Sequence, residues 1–162
     1  MTVELTENRG PPVRRATPAD AEELVRLRAV MFEAVGPLPT SREWADRAVD
    51  HFRRELAGDA LVGAVVGAPD GGLASCGVIR FQRWIPSPGN PTGWAAYISS
   101  MCTDHPYRRQ GHARRVLARL LDEAFARGIE RIELHAAPDG VELYRSVGFV
   151  ERTGGTEMQF RR

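Results

Sequence analysis

Between Ala95 and Ala136 the chain reads strand, helix, strand, and no other stretch restricts its fold as much. An apolar run ends at Thr103, an amphipathic helix spans Arg109 to Arg127, and a second strand spans Ile129 to Ala136. Two strands joined through a helix of that length lie parallel, with a right-handed crossover. Between strand and helix stands Arg108-Arg109-Gln110-Gly111-His112-Ala113. A small-residue loop entering a helix leaves several N–H groups unpaired and aimed one way, at the positive end of the helix dipole. Such an array seats a phosphate or pyrophosphate. Gly111 and Ala113 carry too little side chain to keep a ligand from the backbone.

The remaining elements follow from turn signals and periodicity. Residues 1–11 read as a loose tail ending in Gly10-Pro11, and 12–162 as one domain. Val13 to Ala16 forms a short strand, and Thr17-Pro18 reads as an N-cap and first helical residue. That helix carries Leu24, Leu27, Val30 and Met31 and stops before Gly36-Pro37. Ser41 caps a second helix with Trp44, Ala48, Phe52 and Leu56 on one face. Strands Ala60–Val66 and Leu73–Phe81 flank the turn Pro69-Asp70-Gly71-Gly72. The third helix buries Val116, Leu117, Leu120, Leu121, Ala124 and Phe125. A short helix, Asp139–Val147, and a hairpin of Phe149–Arg152 with Thr156–Phe160 complete the chain. The order β-α-α-β-β-β-α-β-α-β-β predicts an α/β (α+β) domain with a mixed sheet of about seven strands.

Composition narrows the function classes. A formal charge of +1 gives no global pull toward nucleic acid or membrane, and no apolar run reaches spanning length. All 22 basic residues are Arg, so arginine pairs are weak markers of a binding patch. The N-terminus lacks a signal pattern, and two cysteines are too few for a secreted disulfide scaffold; both suggest the cytoplasm. The four histidines are scattered without ligand spacing, so no metal is expected. The loop lacks the Lys-Ser/Thr ending of a nucleotide P-loop.

Arg108-x-x-Gly111-x-Ala113, after a strand and opening a helix, resembles the acetyl-CoA-binding signature of the GNAT superfamily of N-acetyltransferases. Leu143-Tyr144-Arg145-Ser146-Val147-Gly148-Phe149 resembles that family's Leu-Tyr…Gly-Phe segment, and the element order agrees from about Val13 to Phe160. The resemblance implies helices on both faces of the sheet and a splayed strand pair. It implies a cofactor pyrophosphate on the amides of the loop, with Arg108, Arg109, Gln110, Gly111, His112, Ala113 and Arg114 around it. It also implies that Met101, Cys102 and Thr103 pair with the pantetheine arm, and that Tyr144 is the general acid. A homodimer accords with the family. Many relatives carry Asn where this chain has Ala137-Pro138-Asp139-Gly140.

Acetyl transfer to an amine needs a proton acceptor, a donor for the carbonyl oxygen as it gains charge, and a proton for the departing thiolate. A phenol near pKa 10 stays protonated at neutral pH and suits the last task, which falls to Tyr144. An N–H around Met101 or Cys102 suits the second. The base is not singled out: Asp104 reads as a turn residue, His105 as surface, Glu33 as an exposed helix residue and His135 as a buried imidazole. Ser99 and Ser100 could orient a water. Cys102 as a nucleophile lacks a visible activating partner. Phe32, Glu33 and Trp84, with Trp44 and Arg83, are the candidates for the acceptor side, the acceptor being a small-molecule or peptide amine. A catalytically idle acyl-CoA-binding module is the alternative.

Overall fold

The computed structural model describes residues 10–155 and 158–161. Its sheet is built from β1 (Val13–Arg15), β2 (Leu61–Gly67), β3 (Leu73–Arg83), β4 (Trp94–Thr103) and β5 (Ile132–Leu134), in that spatial order. The first four pair antiparallel and β5 lies parallel to β4, as the crossover rule requires. Helices α1 (Ala21–Glu33) and α2 (Glu43–Glu55) cover one face, and α3 (His112–Phe125) with α4 (Val141–Arg145) cover the other. β2 is buried along nearly its whole length because both of its faces are covered, so it reads as a continuous apolar run.

Local chemistry sets the ends of these elements. Asp20 accepts the Thr17 N–H at 2.8 Å and closes a single 3-10 turn, Pro18–Asp20, that leads into α1. Ser41 accepts the Glu43 N–H at 3.3 Å at the start of α2. Leu117 and Leu120 are fully buried between α3 and the sheet, each contributing roughly 1.5–3 kcal/mol of apolar transfer.

Several expected boundaries move. Among the described residues the sheet has five strands, not seven. Phe149–Arg152 forms no strand, and Val150 is exposed. In the other arm of the expected hairpin, 156 and 157 lie outside the described residues, while 158–160 form no strand and leave Met158 and Phe160 exposed. With those side chains outside the core, a two-stranded ribbon has no apolar face to bury. The expected tail likewise falls mostly on 1–9, outside the described residues. α3 begins at His112 rather than Arg109, because Arg109 and Gly111 both have left-handed backbones (φ 62° and 78°) that an α-helix does not admit. Phe125 falls off the buried stripe of α3 and is exposed. β5 is three residues long, and the last helix is a 3-10 turn, Pro138–Gly140, followed by the short α4.

The feature that shapes the site lies in β4. Cys76 pairs with Cys102 and Val78 with Ser99, so β4 holds one more residue than β3 across that interval. Ser100 absorbs the excess with φ 53°, a left-handed conformation costing on the order of 1 kcal/mol. Opposite this bulge, Gly77 leaves the space that Met101 fills: a Cβ there would sit 2.3 Å from Met101 Sδ and 3.0 Å from Leu120 and Val116. Gly77→Ala should therefore destabilise the fold by about 1–2 kcal/mol, read as a lower urea midpoint at an unchanged slope. An unaltered midpoint would show that Met101 is not wedged against this strand.

Candidate functional site

β5 accompanies β4 only from Ala96 to Ile98. Beyond Ile98, β4 runs on through the bulge to Thr103 with β3 on one side and, among the described residues, no strand on the other. Asp104 N–H donates to Ala74 C=O on β3 at 2.9 Å. Alternation along the strand therefore turns the main-chain groups of Cys102 toward β3 and those of Met101 and Thr103 toward the opening. Such an edge accepts an extended, amide-bearing chain as an added strand.

The opening leads to the loop. Asp104 accepts the His105 N–H at 2.9 Å and starts a 3-10 turn, His105–Tyr107. The side chains that follow hold the loop in place. Arg108 Nε donates to Thr103 C=O at 3.2 Å, Gln110 Nε2 to Pro106 C=O at 3.3 Å, and Arg114 to Ser146 Oγ at 2.8 Å. His112 is buried, and its Nδ1 accepts from Arg115 at 2.7 Å. The first bond from a helix N–H is Arg115 to Gly111 C=O at 3.2 Å, which leaves the donors from Gly111 to Arg114 at the positive end of α3. Gly111 supplies φ 78°, and nothing stands within 4 Å of where its Cβ would be, so the approach to those donors is open.

Tyr144 is buried, its ring edge-on to Phe149 at 5.9 Å. Its hydroxyl has no hydrogen-bond partner among the described residues, and no buried side-chain polar atom there is unsatisfied, so solvent reaches the oxygen. Burial pushes the phenol above its ordinary value, so it carries its proton at neutral pH. The Arg114–Ser146 bond, with Ser146 Oγ donating to Leu143 C=O at 2.6 Å, ties α4 to the first turn of α3.

On the opposite face lies a cleft of about 830 Å³ between α1, α2 and the sheet. Phe32 and Trp44 form one wall, edge to face at 5.8 Å, and Tyr97, Ser99 and Ser100 bring β4 into it. Sequence reasoning missed Arg28, Arg47, His51 and Arg80, which also line it. The signal was present: Arg28 and Phe32 are one helical turn apart, as are Arg47 and His51. The other candidates sit elsewhere. Glu33 lines a separate cleft of about 520 Å³ between the helices. Trp84 is exposed on its loop, and Arg83 stacks on Trp94 at 5.4 Å. His105 is exposed, and His135 is exposed beyond the end of β5 rather than buried. Cys76 and Cys102 are free and buried. Burial pushes the Cys102 thiol up to about 11, with Arg108 only partly offsetting it, so the thiol keeps its proton at neutral pH. That disfavours a nucleophilic role.

The pattern of the acetyltransferase (GNAT) family matches residues 22–149. Glucosamine 6-phosphate N-acetyltransferase 1 of Oryza sativa subsp. japonica is 26% identical over 138 residues, which are 85% of this chain and 82% of that protein. An uncharacterized protein of Mycobacterium leprae (strain TN) is 32% identical over 143 residues, covering 85% of this chain and 34% of that longer one. The crystal structure of a predicted acetyltransferase from Clostridium acetobutylicum with acetyl-CoA superimposes with a TM-score of 0.81 at 28% identity, over 91% of this chain and 95% of that one. The structure of a GCN5-related N-acetyltransferase from Ralstonia eutropha JMP134 gives 0.79 at 25% identity, over 91% and 97%.

Asp104 is engaged as a structural group. Burial raises its carboxyl, but the Arg26 guanidinium at 2.7 Å and the His105 N–H outweigh burial and hold it below its ordinary value. Arg26 also holds Glu23 down, at 2.8 Å. A carboxylate depressed in the folded state stabilises above its unfolded pKa, and that contribution is lost as pH falls through the folded value. Arg26→Gln should lower stability near pH 7 by about 1 kcal/mol or less, since all three side chains are partly exposed. The gap should close below the ordinary carboxylate range of about 4. Denaturant titrations at several pH values measure it; a gap constant from pH 7 to pH 3 would contradict the assignment.

Proposed function

The chain belongs to the acetyltransferase (GNAT) family, and on that premise we propose that it is an N-acetyltransferase moving an acetyl group from acetyl-CoA to a primary amine by direct attack in a ternary complex. The observation that carries this reading is the position of the bulge. Ser99 and Ser100 line the large cleft at the stretch of β4 where β5 has left it. An amine in the cleft and an extended chain along the open edge of β4 therefore meet at one place.

The residues fit the co-substrate. Amides from Gly111 to Arg114 are oriented to receive a diphosphate. The main-chain groups of Met101 and Thr103 are oriented to bond the amides of the pantetheine arm. Acetyl-CoA supplies the activated thioester carbonyl. An N–H of β4 near Met101 is the candidate donor to the oxygen of that carbonyl as it gains charge. Tyr144, held protonated by burial, is the candidate donor to the leaving sulfur. Among the described residues no Asp or Glu lines the cleft, and Asp104 is committed to Arg26 and His105. Deprotonation of the amine falls to water in the cleft, with Ser99 and Ser100 available to orient it.

Release of free thiol from acetyl-CoA in the presence of a panel of amines tests the activity. With an accepted amine in hand, Tyr144→Phe should lower kcat by about 100-fold or more while leaving acetyl-CoA affinity within a few-fold of the parent. Undiminished kcat removes Tyr144 from the reaction. Coenzyme A binding with no turnover of any amine would favour an idle acyl-CoA-binding module.

A further inference from the structure

Among the described residues the lining of the large cleft contains Arg28, Arg47, Arg80 and His51, and not one Asp or Glu. Two of the three guanidiniums are neutralised from outside that lining. Arg47 pairs with Glu43 at 2.7 Å, and Arg80 pairs with Glu55 at 3.1 Å while donating to His51 Nε2 at 3.1 Å. Among the described residues Arg28 pairs with no carboxylate. Its Nη1 donates to Ser100 Oγ at 2.5 Å, and its guanidinium lies over the Phe32 ring at 4.8 Å. Arg28 is also half-buried. Among the described residues one of its five N–H donors is used, and the side chain lines the cleft.

A half-buried guanidinium without a counterion is a poor arrangement for stability, since burial disfavours its charge and no carboxylate offsets that. It is a good arrangement for recognition, because guanidinium geometry matches carboxylate and phosphate oxygens in pairs. The same positive field repels an ammonium ion and so favours the neutral amine that attack requires. An acceptor whose amine was its only charge would be disfavoured in such a cleft.

We infer that the acceptor is an amine carrying a carboxylate or phosphate group, and that Arg28 binds this oxyanion beside Ser100. The inference rests on the proposed acetyl transfer and names its substrate class. Because Arg28 is bonded to the bulge residue itself, its oxyanion lies close to the reacting end of the cleft, and the aromatic wall of Phe32 and Trp44 receives the remainder of the acceptor.

Isothermal titration of acceptors into the whole protein, with and without coenzyme A, tests this independently of turnover. Matched pairs isolate the anion: phenylalanine against 2-phenylethylamine for a carboxylate, and O-phosphoethanolamine and glucosamine 6-phosphate against ethanolamine and glucosamine for a phosphate. At least one oxyanion-bearing member should bind tenfold or more tightly than its partner lacking the oxyanion, and the arm that responds identifies the oxyanion. Arg28→Gln should abolish that preference, and Arg28→Lys, which keeps the charge without the fork, should retain part of it. Raising salt from 50 to 500 mM should weaken the anionic member several-fold in the unmodified protein, a readout that needs no variant. Equal binding within every pair, or a preference unaltered by Arg28→Gln in protein that still binds coenzyme A, overturns the inference. Loss of coenzyme A binding by the unmodified protein would instead overturn the acetyl-transfer reading, leaving the acceptor titrations to be judged on their own.

Discussion

The structure depends on one misfit between neighbouring strands. β4 carries one residue more than β3 between Val78 and Cys76, and a sheet with both faces covered cannot hide the surplus by slipping register. Ser100 takes it up in a left-handed conformation, supported by Arg28 on its hydroxyl and by the Cys76 thiol donating to its carbonyl at 3.3 Å. Bulges bend the strand that holds them. Past this point β4 keeps its pairing with β3 and parts from β5, so a row of main-chain groups is left without a strand partner among the described residues. Opposite the bulge, Gly77 and Met101 fit one space, so the distortion is packed from the α3 side as firmly as it is hydrogen-bonded from the α1 side.

The two faces of the sheet divide the work. On the α3 side, a tightly buried cluster holds the first turn of the helix and Tyr144 in a fixed relation, with the loop side chains bonded back to the protein and the backbone donors left outward. On the α1–α2 side the packing opens into a cleft whose positive charge is only partly cancelled. The bulge is where the two meet. The chemistry proposed for the chain requires such a meeting, because a thioester and an amine must approach from separate entrances.

Much of this is legible in the amino-acid sequence. The strand–helix–strand unit announced the parallel β4–β5 pair, and Gly111 between Arg108 and Ala113 marked the loop. Thr17-Pro18 and Ser41 marked helix starts within a residue or two. What was not legible depended on tertiary packing. The start of α3 moved because the left-handed state of Arg109 is set by the loop, not by its own propensity, which favours helix. Gly154-Gly155 between apolar residues predicts a terminal ribbon, yet Val150 finds no face to cover. Of the acceptor-side candidates Phe32 stands at the cleft, while Trp84, the more conspicuous aromatic, is exposed away from it. Arg28 does not stand out among 22 arginines, since only the structure shows that, of the three guanidiniums lining the cleft, it alone has no carboxylate partner among the described residues.

The central claim is that the open edge of β4 and the first turn of α3 together hold coenzyme A through main-chain N–H groups. Amide hydrogen exchange followed by NMR, with and without saturating coenzyme A, measures those groups directly. The account predicts that the amides of Met101, Thr103 and Gly111 through Arg114 become protected on addition of ligand, while the amides of β2, already buried and paired, exchange slowly in both states. Binding that leaves those amides exchanging as before, with protection arising elsewhere in the chain, would contradict it.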